Sequence, residues 1–249
     1  MPNHPKHSPE DEASAANRRA LHRDELESAP PAVYPGRIPL QGSRVHLEAL
    51  DPRVHGAELF EAGHGTEEAN DIWAYLPYGP FANAEAMYEW LRNCSASADP
   101  VFVALRDASN ARLGGMASFL EIRPLFGVIE IGHIWFAPHF QRTPHATEAL
   151  FLMMCHAMDD LENRRLEWKC NSLNLGSRNA ALRLGFRYEG VFYNHLTPKG
   201  RNRDTAWYSI LDTEWPAVRA NIASWLAQDN FDAEGLQRQS LSELNRSLW

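Results

Sequence analysis

The pattern of apolar and polar residues in the middle of the chain predicts a strand followed directly by a helix. Residues 128–136 (VIEIGHIWF) are rich in β-branched and aromatic side chains, which predicts a buried strand. Apolar residues then recur at helical spacing through residues 146–161. Thr143 suits the N-cap of this helix, and Pro144 suits its first position, where a missing N–H costs nothing. We therefore expect a short loop to join the strand to the N-terminus of the helix.

Similar patterns place the remaining elements around this pair. The predicted strands are residues 45–50, 101–106, 113–122, 166–170, 188–196 and 205–211, and the predicted helices are residues 53–62, 84–94, 178–184, 212–228 and 234–248. Residues 73–81 (WAYLPYGPF) are too aromatic and too rich in proline for a helix. The elements together predict an α/β domain, in which a strongly twisted mixed sheet of six to seven strands is flanked by helices.

The composition predicts one folded domain with a tail at each end. Residues 1–35 are rich in His, Pro, Ala and charged residues and lack a sustained apolar face, which predicts a disordered leader. The domain is expected over residues 36–215. Residues 216–249 are expected to form a C-terminal helical extension.

The net charge and the cysteine content indicate which binding partners and which cellular compartment to expect. The net charge of −8 disfavours a nucleic-acid partner, which selects for a clustered basic face. The three cysteines are widely spaced, which predicts a reduced cytoplasmic protein without disulfides. The longest apolar run, residues 149–155, is too short to cross a membrane, and no signal-peptide core follows the N-terminus. We expect neither a nucleic-acid nor a membrane partner.

Two segments around the second half of the predicted sheet carry the candidate chemistry. Residues 141–149 (QRTPHATEA) open the helix, and a helix N-terminus presents unpaired N–H groups that suit a pyrophosphate. A capped strand-to-helix turn alone is an ordinary connection. The next strand is followed by residues 174–177 (NLGS), a short helix, and residues 184–190 (LGFRYEG).

This order of motifs resembles the GCN5-related N-acetyltransferases (GNAT) over about residues 36 to 215, and most closely their branch with the ribosomal-protein N-terminal acetyltransferases. The resemblance implies direct transfer of an acetyl group from acetyl-CoA to a primary amine by a monomer or homodimer. The acceptor could be a protein or peptide N-terminus, an amino acid or aminoacyl compound, or a polyamine-like metabolite. The alternative is a non-catalytic CoA-binding regulatory module.

The resemblance also assigns residues to acetyl-CoA. Its pyrophosphate loop follows the pattern Q/R-x-x-G-x-G/A, in which Gln141 matches the first position and Ala146 the last. Pro144 stands at the glycine position and removes one N–H donor, while Arg142 can pair with phosphate oxygens and compensate. The main-chain donor for the oxyanion is expected near residues 134–136, and the pantetheine arm between this strand and residues 166–170, where the two splay apart. The expected cofactor-binding residues are Ile134, Phe136, Gln141, Arg142, Thr143, His145, Ala146, Asn174 and Ser177.

The residue that protonates the leaving thiolate is expected to be Ser177. Many relatives use a Tyr four residues before the glycine of L-G-F, but that position is Ala181 here. The ribosomal-protein branch uses the Ser of N-x-x-S, which matches Ser177. The alternative is that Ser177 only caps the following helix. Asn174 fits a contact to the pantetheine or adenosine part of CoA, or a turn-forming role.

The base that accepts the amine proton has two candidates. Some members of the branch place a Glu on the strand after L-G-F, where this chain has Leu196 flanked by His195, the first candidate. The second is Glu130, a charged residue in an apolar strand, which needs a partner or an opening. Glu130 and His133 are an odd number of positions apart, so we expect them on opposite faces of the strand.

The remaining site expectations concern the acceptor, metals and a basic patch. By family analogy residues 73–81 form the acceptor wall, with core or lid packing as the alternative; the expected residues are Trp73, Tyr75, Tyr78 and Phe81. His133, His139 and His145 recur without a second ligand cluster, so no metal is expected. Residues 199–203 (KGRNR) could meet an acidic substrate or the CoA 3′-phosphate, or form a solvated hairpin turn.

Overall fold

The computed structural model describes Arg19 and residues 31–248. In these residues the strands are β1 (Leu40–Gln41), β2 (Val45–Ala49), β3 (Val101–Asp107), β4 (Leu113–Arg123), β5 (Val128–Phe136), β6 (Arg165–Asn171), β7 (Arg187–Leu196) and β8 (Arg203–Leu211). The helices are α1 (Pro52–Gly63), α2 (Glu67–Asp71), α3 (Ala84–Ala96), α4 (Pro144–Cys155), α5 (Leu175–Arg183), α6 (Trp215–Leu226) and α7 (Leu241–Arg246).

Most boundaries lie within three residues of the predicted ones, and the exceptions have local causes. The short β1 and α2 were not predicted. The predicted helix over 146–161 ends as an α-helix at Cys155 and continues as a π-helical turn over His156–Asp160. The predicted helix over 234–248 is shortened to α7, because Gly235 has a left-handed φ of 78° and Phe231 bridges to Gln237 instead.

The strands form a single mixed sheet in the order β1-β2-β3-β4-β5-β6-β8-β7. Every neighbouring pair is antiparallel except β5 and β6, which are parallel. The predicted mixed α/β class is therefore confirmed. The described residues contain eight strands in place of the predicted six to seven, because β1 adds a short edge strand, with Leu40 opposite Leu47.

The two parallel strands separate along their length. Within residues 31–248, β5 and β6 pair only from Val128 with Arg165 to Glu130 with Glu167. Beyond that point β5 stays paired with β4 as far as Phe136, while β6 stays paired with β8 as far as Asn171. The space that opens between them is called the β5–β6 gap below. It lies where the resemblance places the splayed strands.

The sheet has a different chemical character on each face. One face packs against α4 and α6 in a large core that includes Ile129, Met153 and Ile222. On the other face, α1 and α3 cover the first half of the sheet in a second core. The same face of β6 and β8 instead carries polar and charged side chains, among them Glu167 and Lys169. The β5–β6 gap therefore opens between an apolar helix layer and a polar face.

A β-bulge in β5 changes which side chains share this face. Ser118 pairs with Gly132 and Met116 with Trp135, so Ala117 alone stands opposite two residues. The extra residue is accommodated by His133, whose φ of 51° is left-handed. Consequently His133 points to the same face as Gly132. Its ring lies 5.2 Å from that of Phe102.

Glu130 also points to this face, because it is two positions from Gly132 on a regular stretch of strand. The expectation that Glu130 and His133 face opposite sides is therefore wrong. A bulge adds one residue to the strand, and the alternation of faces shifts by one position beyond it.

Both ends of the described chain pack onto the domain. At the C-terminal end, α6 contributes Val218, Ile222 and Trp225 to the large core, and α7 contributes Leu241. At the other end, the N–H groups of Ala32 and Val33 donate to the carbonyls of Pro124 and Leu161. The rest of the predicted leader, residues 1–18 and 20–30, lies outside the described residues. The domain limits of 36 and 215 stay a prediction.

Candidate active site

The loop between β5 and α4 is shaped by Phe140 and Thr143. The Phe140 ring lies so close to Gly114 that a Cβ there would be 2.3 Å from it. The Thr143 hydroxyl donates to the Phe140 carbonyl at 2.7 Å and accepts from the Ala146 N–H at 3.4 Å. The predicted N-cap is therefore confirmed, with Pro144 at the start of the helix. This cap aims the first N–H groups of α4 out of the loop.

The other residues expected on this loop leave it open to solvent. Gln141 is exposed and donates from Nε2 to the Phe136 carbonyl at 2.9 Å. Arg142 is exposed, with a left-handed φ of 59°. His145 lies in the first turn, with Nε2 3.7 Å from Oδ2 of Asp107. The first turn of α4 thus begins beside an exposed guanidinium, which suits an anion, while the His145 imidazole faces the Asp107 carboxylate.

Glu130 lies at the last paired position before the β5–β6 gap and is 5% exposed. Its Oε2 is 2.9 Å from Nζ of Lys169, which also contacts Oε2 of Glu167 at 3.0 Å. Lys169 is the partner that a charged residue in this apolar strand requires. Burial raises the pKa of Glu130 to about 7, and the nearby Lys169 cation only partly opposes this effect. A carboxylate with this pKa can gain and lose a proton near neutral pH.

Ser177 and Asn174 have separate roles at the start of α5. The N-cap is Asn174, whose Oδ1 accepts the Ser177 N–H at 3.0 Å. The alternative that Ser177 caps the helix is therefore wrong, because Ser177 lies inside the first turn. Its Oγ accepts the indole N–H of Trp168 on β6 at 3.0 Å. The hydroxyl proton of Ser177 is left to donate elsewhere.

The aromatic segment 73–81 is partly core and partly surface. Trp73 is fully buried, and its indole N–H donates to the Gly63 carbonyl at 2.8 Å. Phe81 packs edge-on against Trp73 at 5.6 Å between centroids. Tyr78 stacks on His133 at 5.5 Å. The alternative of core packing therefore holds for Trp73 and Phe81, while Tyr78 reaches the strand beside the gap.

The same segment is tied to elements on the other side of the gap. The exposed Tyr75 donates its hydroxyl proton to the Leu173 carbonyl, just before α5, at 3.1 Å. Lys199, in the hairpin between β7 and β8, donates from Nζ to the Trp73 carbonyl at 2.8 Å. These two hydrogen bonds tie the aromatic segment, which lies between α2 and α3, to the turn after β6 and to the β7–β8 hairpin.

His195 lies further from the gap than Glu130. It is exposed on β7, the edge strand, and its Nδ1 is 3.0 Å from Oγ1 of Thr205 on β8. Its ring lies 6.1 Å from that of Trp207. The structure therefore brings Glu130, rather than His195, next to the point where the strands part.

On the face of the sheet that carries Glu130, four buried polar atoms lack a hydrogen-bond partner among the described residues. They are Oη of Tyr78, Nδ1 of His133, Nε1 of Trp135 and Nε1 of Trp207. Burial, and secondarily the charge of Arg203, lower the pKa of His133 to about 4, so its imidazole is neutral at physiological pH. Buried polar atoms are usually hydrogen-bonded, so these four are exceptions within the described residues.

The described residues bring together no group of three or more His, Cys, Asp or Glu side chains able to hold a metal ion. His133 stacks on Tyr78, whereas His145 faces Asp107. No helix in residues 31–248 is long and apolar enough to cross a membrane.

The element order, the parting of the parallel strands and the capped helix beside the gap define the GNAT acetyltransferase fold. Residues 44–187 match the family model described as Acetyltransferase (GNAT) domain, and the chain therefore belongs to this family.

Solved structures and a curated relative agree with this assignment. A GCN5-related N-acetyltransferase from Brucella melitensis is 43% identical, with a TM-score of 0.86 over 89% of this chain and all of that one. A GNAT-family protein from Chromobacterium violaceum is 36% identical, with a TM-score of 0.74 over 80% of this chain and 99% of that one. A Bacillus subtilis protein named "Putative ribosomal N-acetyltransferase YdaF" is 31% identical over 103 residues. That match spans 41% of this chain and 56% of the relative.

Sequence reasoning missed Lys169, Trp168 and Arg203 as neighbours of the site. Strand alternation places Lys169 on the face of Glu167, but only the parallel register of β5 and β6 brings it to Glu130. The indole contact of Ser177 likewise depends on how α5 packs on β6. Arg203 belonged to the predicted basic patch, without a sign that it faces the gap.

Proposed function

We propose that this acetyltransferase moves an acetyl group from acetyl-CoA to a primary amine. The observation that supports it best is that the β5–β6 gap lies between the capped N-terminus of α4 and the buried Glu130 carboxyl group. One end suits the phosphates of CoA, and the other suits a reaction that releases a proton near neutral pH.

In this proposal acetyl-CoA binds along the loop and into the gap. The pyrophosphate lies on the first N–H groups of α4, and Arg142 pairs with its oxygens. Pro144 withdraws one donor from this end. The remaining loop contacts are Gln141, Thr143, His145 and Ala146. The pantetheine arm enters the gap between β5 and β6 and passes Asn174 and Ser177.

The edge of β5 that faces the gap supports the oxyanion role. Residues 131–136 have no pairing with β6, so main-chain N–H groups on that side, near Ile134 and Phe136, are left to bind the thioester oxygen. Such donors are most effective when they are fixed before the reaction, and the pairing of this stretch of β5 with β4 holds them in place.

The chemistry is a direct attack of the amine on the acetyl carbonyl carbon. A C–N bond forms and the C–S bond breaks. The proton released from the amine passes, directly or through water, to the Glu130 carboxylate, with His195 as the alternative acceptor. Ser177 donates its hydroxyl proton to the departing thiolate and regains one from solvent. The hydrogen bond that Ser177 accepts from Trp168 polarises its hydroxyl toward donation.

The acceptor classes are a protein or peptide N-terminus, an amino acid or aminoacyl compound, and a polyamine-like metabolite. In each class the aromatic segment, with Tyr75 and Tyr78 nearest the gap, forms one wall of the acceptor site. A monomer or a homodimer is expected.

The first experiment measures thermal unfolding with increasing acetyl-CoA. Because a ligand that binds only the folded state raises the unfolding temperature, we expect stabilisation that increases with acetyl-CoA concentration. Arg142→Ala should weaken this effect and leave the stability of the free protein unchanged. Arg92→Ala, which removes an exposed arginine on α3, is the matched control. Equal acetyl-CoA affinity in Arg142→Ala and the parent would remove Arg142 from the site.

The second experiment measures release of the CoA thiol with a panel of primary amines. Turnover on at least one amine is expected. Acetyl-CoA binding without turnover on any of them would contradict the proposed activity and favour a non-catalytic CoA-binding module. Pro144 and the fully buried Ala181, which replaces the usual tyrosine, are the residues consistent with that alternative.

A further inference from the structure

Arg203 at the start of β8 lies beyond the last pair that β8 makes with β6, which is Thr205 with Asn171. It lies two positions before Thr205 and four before Trp207, so these three side chains share one face of the strand. Trp207 lies on the same face as Lys169, whose Nζ is 4.2 Å from the centre of the indole. Arg203 is therefore on the polar face that carries the ion pair of Lys169 with Glu130.

The charge of Arg203 acts on groups across the gap. It is close enough to His133 on β5 to contribute to the lowered pKa of that imidazole. Burial lowers the pKa of Arg203 itself, and the electrostatic effects of Cys170 and, less strongly, of Glu130 oppose this effect. β6 lies between β8 and β5 in the sheet, and its last pair with β8 is Asn171 with Thr205, so the Arg203 guanidinium can extend over the end of β6 toward the gap.

Arg203 differs from the other cations on this face by its partners. Lys169 contacts two carboxylates, Glu130 and Glu167, and Arg165 contacts Glu167 and Glu189. By contrast, no carboxylate of the described residues lies within salt-bridge distance of Arg203. Among the described residues, the one hydrogen bond of the Arg203 side chain is from its Nε to the Thr205 hydroxyl, at 3.2 Å.

We propose that Arg203 binds a carboxylate of the acceptor, so that the substrate class is a small amino-carboxylate, such as an amino acid, acetylated on its amine. This inference rests on the proposed function and names the acceptor within it. Arg203 is then a specificity-determining residue that positions the acceptor rather than a group that takes part in bond formation.

The chemistry of the surroundings favours a carboxylate over an uncharged acceptor. A half-buried guanidinium without an anion has lost part of its hydration, and a planar carboxylate restores it with two parallel hydrogen bonds. The hydrogen bond from Nε to Thr205 leaves both terminal nitrogens to form this fork. Lys199, four residues before Arg203 in the same hairpin, is tied to the aromatic segment by its hydrogen bond to the Trp73 carbonyl.

The test compares amine acceptors in pairs that differ only at the carboxyl group. Each amino acid in the panel is matched with its carboxamide and with the corresponding decarboxylated amine, and kcat and KM are measured with saturating acetyl-CoA. In the parent we expect kcat/KM for the acid to exceed that for its partners by between about tenfold and a hundredfold, the range for one charge-assisted contact. Arg203→Gln should remove this preference mainly through KM.

Two controls separate this role from a structural one. Arg201→Gln, on the same hairpin but exposed, should keep the preference of the parent. Arg203→Lys keeps the charge without the fork and should restore part of it. Acetyl-CoA affinity, measured by thermal shift, should stay unchanged in all three variants.

The outcomes distinguish the two proposals. Two results would overturn the inference and leave the acetyltransferase activity in place. In the first, the parent acetylates the carboxamides as well as or better than the acids. In the second, Arg203→Gln keeps the preference for the acids. Acetylation of peptide N-termini alone, with no free amino-carboxylate accepted, would also overturn it. Absence of turnover on every amine would overturn the proposed function, and the inference with it.

Discussion

At the scale of single residues, Asn174 and Ser177 have different roles. The N-x-x-S spacing alone does not show which of the two residues caps the helix. Asn174 provides the cap of α5, and Ser177, three residues later, presents a hydroxyl that accepts from Trp168. A cap acts on stability, whereas a proton donor to a leaving group acts on the rate of the chemical step. Separate substitutions should therefore produce separate effects.

We predict that Ser177→Ala lowers kcat by roughly one to two orders of magnitude and leaves acetyl-CoA affinity largely unchanged, as expected for an interaction made in the transition state. Asn174→Ala should instead lower the free energy of unfolding by about 1 kcal/mol through loss of the cap. Steady-state kinetics and urea unfolding of both variants test this. Because Ser177→Ala also leaves the Trp168 indole without its acceptor, rates are compared per folded molecule. Full activity in Ser177→Ala would rule out its catalytic role.

Glu130 owes its proposed role to burial. Only the ionised carboxylate accepts a proton, and its pKa is about 7. In the parent we therefore expect kcat/KM for the amine to rise with pH through about 7 and to level above it, in addition to any titration of the amine itself. Glu130→Gln should lower the rate by roughly 10²- to 10⁴-fold, the usual contribution of a general base.

His195→Gln is the comparison for Glu130→Gln. If Glu130 is the base, His195→Gln keeps both the rate and the pH profile of the parent. The reverse result, a changed profile in His195→Gln and an unchanged one in Glu130→Gln, would assign the role to His195. If both variants remain fully active, the amine loses its proton to solvent and positioning supplies the rate enhancement.

At the scale of elements, the aromatic segment 73–81 is held at its end by His64. Nδ1 of His64 is 3.0 Å from the Phe60 carbonyl, and Nε2 accepts the Phe81 N–H at 3.0 Å. This arrangement requires a neutral ring with its proton on Nδ1. Burial lowers the pKa of His64 and so favours this form. Protonation of Nε2 would remove the bond to Phe81.

We predict that His64→Leu raises KM for the amine and leaves acetyl-CoA affinity unchanged, because the segment lines the acceptor side only. His64→Gln retains an oxygen that can accept from Phe81 and should raise KM less. Initial rates with varied amine at one fixed pH check both. An equal KM in His64→Leu and the parent would contradict the anchoring role.

The same histidine affects the pH dependence of stability. The folded pKa lies below the unfolded value of about 6.5, so the stability contribution is complete above this pH and is lost as pH falls below it. His133, with a pKa of about 4, acts in the same direction, and its contribution is lost between about pH 6.5 and 4. Urea midpoints measured across this range should fall less steeply in His64→Gln than in the parent.

At the scale of the whole molecule, Arg19 connects the N-terminal part of the chain to the edge of the sheet. Its guanidinium contacts Glu189 on β7 and Glu214 before α6, both at 2.6 Å, and donates to the Ser209 hydroxyl on β8 at 2.8 Å. Burial acts to raise the pKa of Glu214, but hydrogen bonds from Arg19 and from the Leu211 N–H outweigh it and keep that pKa below its usual value.

We predict that Arg19→Ala lowers the free energy of unfolding by about 1.5–3 kcal/mol, the usual range for hydrogen bonds to charged groups. Arg53→Ala, at a guanidinium with an 81% exposed side chain, is the control and should change it by less than about 0.5 kcal/mol. Chemical denaturation at pH 7 measures both.

Because the folded pKa of Glu214 is lowered, its contribution is present above the unfolded pKa of about 4.3 and lost as pH falls through the folded value. The difference between Arg19→Ala and the parent should therefore shrink in acid. A stability equal to that of the parent would show that this contact contributes nothing.

The sequence by itself determined the order of the elements, the α/β class and the family. Thr143 and Pro144 are sufficient to start α4, because capping and the fixed φ of proline are properties of a few adjacent residues. The predicted strand at 128–136 likewise has the same first and last residues as β5, since its β-branched and aromatic run is a local signal.

Only the tertiary structure decided which side chains meet. The pairing of Glu130 with Lys169 depends on the register of two parallel strands that are distant along the chain. The shared face of Glu130 and His133 depends on one left-handed residue that shifts the alternation of β5. Arg203 lies beside the end of β6 because β8, rather than β7, is the strand that pairs with β6. Strand order, register and bulges follow from the packing of the whole sheet, so the pattern within one segment does not predict them.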